Sequence, residues 1–266
     1  MKIAVCVKQV PDSWAEKRLD PSDSTLDRES VDAVLNDLDE YAVEEALRLI
    51  EAHGGPEAGH TISLISMGPE RATEALRKAL SMGADDAVLV VDPALAGSDS
   101  LATSAVLAAA IQRGGYDLVI CGTESTDARM SVVPAMLAER LSWPQLTFAG
   151  EVTVDPAAGS VAIKRMTEEG VESMSAAFPA VVSVIEKINE PRYPSFKGIM
   201  AAKKKTIENL SLSDLGVDGA KVGLAATWSP VVDFEVRPPR SAGVKVEDSG
   251  DGGQQLVAFL AERKLV

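Results

Sequence analysis

The chain is short of the residues on which several large protein classes depend. Only two cysteines, Cys6 and Cys121, and two histidines, His53 and His60, occur in 266 residues. Both cysteines sit inside apolar runs. That reads as reduced core thiols, not a disulfide framework. Two histidines with two distant cysteines make a zinc site unexpected. No apolar run approaches the roughly 18–20 residues of a membrane span, so direct membrane insertion is not expected. The opening MKIAVCVKQVPD has an apolar core of only five residues. It is too short for a signal peptide and reads as a first strand, so the expected location is the cytoplasm. Basic residues are scarce as well: 26 Lys and Arg stand against 40 Asp and Glu, a net charge of −14. Such a balance argues against general nucleic-acid or anionic-membrane binding. There is no GxGxxG after the first apolar run and no GxxxxGK followed by Ser or Thr, so the usual dinucleotide and triphosphate fingerprints are missing. No Cys/His pair or GxSxG elbow offers a nucleophile.

What is present is ordinary globular composition, 46% hydrophobic and 25% charged, in a chain long enough to fold without staples. Five short apolar runs recur: Ile3–Val7, Ile62–Ser66, Ala87–Val91, Leu118–Cys121 and Ala180–Ile185. Each has the length of a buried strand. Between the first four lie helical patterns at Glu40–His53, Glu70–Met82 and Leu101–Gln112, with another at Val132–Leu141. Fully apolar strands alternating with amphipathic helices predict a parallel sheet covered on both faces. From Thr147 the pattern changes. Thr147–Val154, Ser160–Met166 and Val171–Phe178 read as a small antiparallel insert before the fifth parallel strand. Asn189–Met200 shows no clear periodicity. Gly223–Gly253, with PVVDFEVRPPRSAG at its centre, reads as an extended arm, and Gly253–Arg263 as a final helix. Paired acids such as Glu44–Glu45 are placed on the solvated face of the first helix.

A doubly wound sheet binds ligands outside the carboxyl ends of its strands, where strand order reverses. If the first and fourth strands flank that point, Cys6–Pro11 and Gly122–Val133 (GTESTDARMSVV) meet there. Gly122 permits close backbone approach. Ser125, Thr126 and Asp127 can cap the helix that follows, and a helix start with free N–H groups suits a phosphate. Ordinary capping is the competing reading. A second anomaly is Pro191–Thr206, which carries Arg192, Lys197, Lys203, Lys204 and Lys205 with no acid. It reads either as a solvated basic turn or as a docking site for an acidic partner, anchored by an exposed Phe196.

Several stretches resemble the beta subunits of electron-transfer flavoproteins. They are VKQVPDSW, NDLDEYAVEEALRL, GPERATEALRKALSMGADDAVLV, WPQLTFA, FPAVVSVIEKINEPRYPSFKGIMAAKKK and SAGVKVED. The resemblance spans almost the whole chain, and the NEPRYPS…IMAAKKK block is its most specific part. It implies a doubly wound, mainly parallel, Rossmann-like α/β fold of the adenine-nucleotide-binding type. Residues 1–222 would form the nucleotide-binding domain, including the insert at about 147–178 and a partner-recognition loop at about 184–206. Residues 223–266 would be an arm and helix packing on an alpha subunit. The resemblance further implies a heterodimer holding one FAD, mainly on the alpha subunit, and one AMP in this chain. Flavin dehydrogenases, notably acyl-CoA dehydrogenases, would supply electrons, and a membrane quinone oxidoreductase would accept them. The chain would be an electron-carrier subunit in fatty acid beta-oxidation and not a catalyst by itself.

By matching motifs, the family's AMP contacts fall on Cys6, Asn36, Asp37, Leu38, Asp39, Met67 and the run Gly122, Thr123, Glu124, Ser125, Thr126, Asp127, Ala128, Arg129, Met130, Ser131, Val132 and Val133. Ser131, Val132 and Val133 replace an Asn-Gln-Thr of animal members, which removes two polar contacts. Backbone N–H groups and the Ser131 hydroxyl remain for phosphate. Arg129 reads either as a phosphate partner or as an exposed helix charge. Trp14 lies one residue from the family's aromatic over the flavin. It reads as a flavin contact or as a loop aromatic against the partner subunit. Met166 replaces a glutamate that pairs with the flavin domain in animal members, and Arg165, Glu168 and Glu169 are the available substitutes. The docking residues implied are Arg192, Tyr193, Phe196, Lys197, Lys203, Lys204 and Lys205. The alternatives are a nucleotide-binding enzyme or stress-type sensor of related fold, or an electron-bifurcating relative with a second FAD in place of AMP.

Overall fold

A computed structural model of the chain describes residues 1–239, 242–243 and 245–266. Arg240, Ser241 and Val244, which the sequence reading includes in its PVVDFEVRPPRSAG and SAGVKVED stretches, lie outside the described residues. The apolar runs become the strands β1 (Lys2–Cys6), β4 (Thr61–Met67), β5 (Asp86–Val90), β6 (Leu118–Gly122) and β10 (Ala180–Val184). Two short strands between the first pair, β2 (Gln9–Pro11) and β3 (Ala33–Leu35), form a separate antiparallel pair. Strand β7 (Gln145–Asp155) has two roles. Its first half runs parallel to β10, and its second half turns antiparallel with β8 (Ser160–Thr167), which pairs β9 (Gly170–Ala177). The predicted insert is therefore continuous with the main sheet. At the other edge β11 (Ile207–Leu210) lies parallel to β5. The nine-stranded order is β11-β5-β4-β1-β6-β10-β7-β8-β9.

The helices are α1 (Asp37–Ala52), α2 (Thr73–Met82), α3 (Ser100–Gly114), α4 (Val133–Leu141), α5 (Phe196–Ala202) and α6 (Gly252–Glu262). Alternate residues of the central strands separate onto two cores. Ile3, Val5, Leu118 and Ile120 pack with α1 and α2, whereas Ala4, Val119, Cys121 and Val181 pack with α3 and α4. Burial on both faces is why these strands carry no polar alternation. Each fully buried Val, Leu or Ile contributes about 1.5–3 kcal/mol, so the two cores supply most of the stability. The chain moves outward from β1 through β4 to β5, then returns to the opposite side of β1 as β6. The reversal of strand order is thus at the β1/β6 boundary.

Two expectations are overturned. The segment Asn189–Met200, read as aperiodic, contains the start of α5, capped by Ser195 Oγ accepting from the Gly198 N–H at 3.1 Å. Glu44 and Glu45 are buried and not solvated, because the chain around Asn189–Arg192 lies across α1 and covers them.

The described chain divides into two compact units, Met1–Val232 and Asp233–Val266. Gly223 and Trp228 belong to the first, their N–H groups bonded to Ser98 Oγ and Asp99 Oδ2. In the second, Asp248 Oδ1 accepts from Gly250 and Gly252 ahead of α6. No residue of α6 is buried. Among the described residues no helix is long and apolar enough to cross a membrane.

Candidate functional site

The crevice forms where the carboxyl ends of β1, β4 and β6 meet the start of α1. Cys6 ends β1, Met67 ends β4 and Gly122 ends β6. Cys6 and Cys121 are register partners on adjacent strands. A hydrogen bond with Cys6, and then burial, push the Cys121 thiol up, which fits an inert core thiol. Gly122 is required by close approach. A Cβ built there would lie 2.8 Å from the carbonyl carbon and oxygen of Leu38 and from Asp39 Oδ1.

Asn36 is the hub of the crevice. Its Nδ2 donates to Asp39 Oδ1 at 2.9 Å and to the Glu124 carbonyl at 3.0 Å, and its Oδ1 accepts from the Thr126 N–H at 3.0 Å. One side chain thereby ties the loop after β6 to the first turn of α1. Asp39 is buried, and its second oxygen accepts from the Lys8 backbone N–H at 2.7 Å. Burial pushes the Asp39 carboxyl up to about 7, against the opposing pull of these two hydrogen bonds and of Lys8. Asp37 is exposed and Leu38 half-buried beside it.

The loop from Thr123 to Val132 departs from the sequence reading at one point. Ser125, Thr126 and Asp127 do not cap the following helix. Helix α4 begins at Val133, several residues later, and Val132 at its N-cap makes no side-chain cap. The Asp127 side chain, fully enclosed, instead receives Lys8 Nζ at 2.9 Å and Arg28 Nη2 at 2.7 Å. Burial works against the ionised Asp127, yet Lys8, Ser125 and Arg28 together hold its carboxyl well below the usual carboxylate range. Burial likewise lowers the Lys8 pKa, against the pull of Asp127. Thr123 is fixed by its N–H and hydroxyl to the Val184 carbonyl. Ser131 Oγ donates to Glu124 Oε2 at 3.0 Å. Ala128, Arg129 and Met130 are exposed, and Arg129 and Ser131 hold φ of 51° and 54°. Left-handed backbone at non-glycine residues costs energy and concentrates at functional loops. Thr126 Oγ1 is buried with no partner, and the first N–H groups of α4 are uncapped. An orphaned hydroxyl in a loop that leads into an open helix start is a chemical fit for an anionic ligand group.

Lys8 and Arg28 escaped the sequence reading. Lys8 lies two residues past the end of β1 and was legible as a strand-end cation. Arg28 lies in the polar excursion between β2 and β3, and nothing local marks its partner 99 residues away. Arg71 holds the same excursion, donating to the Arg28 carbonyl and pairing with Glu29 at 3.3 Å. Trp14, in this excursion, is 96% exposed.

The basic segment is a second, separate arrangement. Tyr193 and Phe196 are 97% and 80% exposed, with Ile199 and Met200 beside them. Lys197, Lys203 and Lys204 are exposed. Arg192 and Lys205, counted with them from sequence, are engaged inside the fold. Arg192 binds Glu44 and Glu51. Lys205 Nζ donates to the Leu80, Gly83 and Ala84 carbonyls at the end of α2. On β8, Met166 is partly exposed, and the neighbouring Arg165 donates to the Thr147 carbonyl at 2.9 Å and pairs with Glu172 at 3.5 Å.

A family model described as the electron transfer flavoprotein domain matches residues 23–215. The chain is 49% identical over 265 residues to the electron transfer flavoprotein subunit beta of Mycobacterium tuberculosis, covering 99% of each chain. It is 36% identical over 270 residues to the protein of the same name from Megasphaera elsdenii, covering 99% of this chain and 97% of the relative. To Protein FixA of Azotobacter vinelandii it is 35% identical over 271 residues, covering 100% of this chain and 94% of that one.

Proposed function

Because the chain belongs to the electron transfer flavoprotein beta-subunit family, we propose that it holds AMP in the β1/β6 crevice, supports a flavin-bearing alpha subunit and docks flavin dehydrogenases through α5. The observation that carries the AMP reading is the orphaned Thr126 hydroxyl, in the loop that runs from the reversal of strand order at the end of β6 to the uncapped start of α4. The residues that would hold the nucleotide are Cys6, Asn36–Asp39, Met67 and Gly122–Val133. Asn36 orients the loop, and the start of α4 receives the phosphate. Asp127 acts indirectly: it pairs with both Lys8 and Arg28 and so fixes the excursion beside the loop. Ser131 turns its hydroxyl to Glu124 and serves loop geometry.

FAD belongs mainly to the alpha subunit in this reading, and when bound it supplies the redox chemistry. This chain is not a catalyst: no acid, base or nucleophile acts on a substrate. Its role is to hold the partners in place. Trp14 reaches toward the flavin, and the segment Asp233–Val266 packs on the alpha subunit. The exposed Tyr193 and Phe196 anchor a dehydrogenase, such as an acyl-CoA dehydrogenase, while Lys197, Lys203 and Lys204 steer it. Electrons then pass to a membrane quinone oxidoreductase from the cytoplasmic side.

The test is reduction of the purified heterodimer by an acyl-CoA dehydrogenase and its acyl-CoA substrate. The expected result is bleaching of the heterodimer flavin only when both are present. A flavin that dithionite bleaches but no acyl-CoA dehydrogenase reduces would contradict the docking part of the proposal.

A further inference from the structure

Arg192 heads the docking segment, and its side chain, 35% exposed, is engaged by two acids of α1. Its Nε and Nη2 donate to the two oxygens of Glu44 at 2.7 and 3.0 Å, and its backbone N–H reaches Glu44 Oε2 at 3.1 Å. Nη1 and Nη2 also donate to Glu51 at 2.7 and 3.0 Å. Glu44 is only 5% exposed. One guanidinium fork thus spans two carboxylates about two turns apart on the same face of α1, and together they carry a net negative charge. Asn189 adds a second tie, Nδ2 donating to the Tyr41 carbonyl at 3.1 Å and to Glu45 Oε2 at 3.0 Å. The far end of the segment is fixed on α2. Arg77 Nη1 donates to the Ala202 and Lys205 carbonyls at 2.5 and 2.7 Å. In between, Gly198 lies so close to the Ser81 carbonyl that a Cβ would come within 2.5 Å of it.

We propose that Arg192, Glu44 and Glu51 form a positioning clamp that presents the Tyr193–Phe196 face of the docking segment, and that Arg192 contributes nothing to steering. Its functional readout rests on the docking reading above. A planar five-donor fork meets both carboxylates with paired N–H groups in a fixed geometry, which the three donors of a point-like ammonium do not reproduce. A segment held at both ends also gives up less freedom when a partner binds. The clamp and a steering charge predict opposite results for two substitutions. If Arg192 steers, Arg192→Lys preserves function, and Glu51→Gln, which removes an acid, strengthens encounter with an acidic partner. If Arg192 clamps, both weaken docking.

The experiment uses the heterodimer as electron acceptor in a steady-state dehydrogenase assay across ionic strength, with Arg192→Lys, Arg192→Gln, Glu51→Gln, Lys197→Gln and Phe196→Ala. The clamp predicts that both Arg192 variants raise the KM for the flavoprotein about tenfold, the scale of one hydrogen bond to a charged group. Their kcat should stay at the parental value, and so should the slope of log KM against log ionic strength. Glu51→Gln should move KM in the same direction, and only Lys197→Gln should flatten the salt slope. Parental KM for Arg192→Lys, or a fall in KM for Glu51→Gln, would overturn the clamp while Phe196→Ala remained impaired. If Phe196→Ala is itself normal, the docking reading fails, and hydrogen exchange over Tyr193–Ala202 decides the clamp alone. Faster exchange in Arg192→Lys supports it, and unchanged exchange overturns it.

Discussion

Gly122→Ala is the sharpest perturbation of the crevice. The added methyl would stand 2.8 Å from the Leu38 carbonyl carbon and oxygen and from Asp39 Oδ1. Ordinary contact begins near 3.4 Å, so roughly 0.6 Å of separation must be found between β6 and the first turn of α1. None of the three atoms can swing aside. Two are backbone, and the third is a buried carboxylate fixed by Asn36 and Lys8. Overpacking of this kind costs about 1–3 kcal/mol. Relief of glycine's entropy in a strand returns about 0.5–1 kcal/mol. At the midpoints of these ranges about 1.3 kcal/mol remains, which lowers Tm by roughly 3–5 °C for a unit of this size. Because the displacement falls on the Asn36–Thr126 bond, the co-purifying nucleotide should fall with it. Gly59→Ala is the control, since Gly59 has φ of 77° and open space around it. It should cost about 1–2 kcal/mol of backbone strain and leave the nucleotide in place. Differential scanning fluorimetry of the heterodimer with nucleotide counting reads both effects. A Gly122→Ala heterodimer that melts within 1 °C of the parent, by the scale of about 2–4 °C per kcal/mol, and keeps all its nucleotide would refute the close-approach argument.

Phe196→Ala should weaken dehydrogenase binding by about 1–3 kcal/mol, the range of an anchor residue, with flavin content and dithionite reduction unchanged; normal transfer by this variant would return α5 to an ordinary surface turn. Lys203→Gln with Lys204→Gln should slow electron transfer at low salt and matter less at physiological ionic strength, where the screening length is about 8 Å; stopped-flow rates against salt read this directly, and a salt-independent defect would contradict steering. Burial raises the Asp39 pKa to about 7, so its stabilising contribution is complete below the ordinary value near 3.9 and is lost as pH rises through 7. A carboxyl-carbon NMR titration should find its midpoint near 7, and a midpoint below about 5 would show that the two hydrogen bonds from Lys8 and Asn36 outweigh burial.

The parts of the fold legible in the sequence are those governed by local pattern. The runs that became β1, β4, β5, β6 and β10 are apolar on both faces, so nothing else fits them. Once helices alternate with such strands, the position of the crevice follows from strand order. Strands β2, β3 and β11 were not legible, because three or four residues give no period. Helix α5 was hidden by its length of 7 residues, although Ser195 before it carries a cap signal. The ion pairs were beyond reach for another reason. Arg28 meets Asp127 across 99 residues and Arg192 meets Glu44 across 148, and sequence gives a charge but not its partner. That is why Glu44 read as solvated and Arg192 as free. The caps assigned to Ser125–Asp127 failed similarly: the residue types suit a cap, but the loop runs on to Val133.

The most direct test of the account is the ligand content of the heterodimer. This chain co-expressed with its alpha subunit, purified and denatured, should release one FAD and one AMP per heterodimer, resolved by chromatography against standards. Two FAD and no AMP would contradict AMP in the β1/β6 crevice and assign that site to a second flavin. FAD alone, with no adenine nucleotide left over, would contradict the crevice as a nucleotide site altogether.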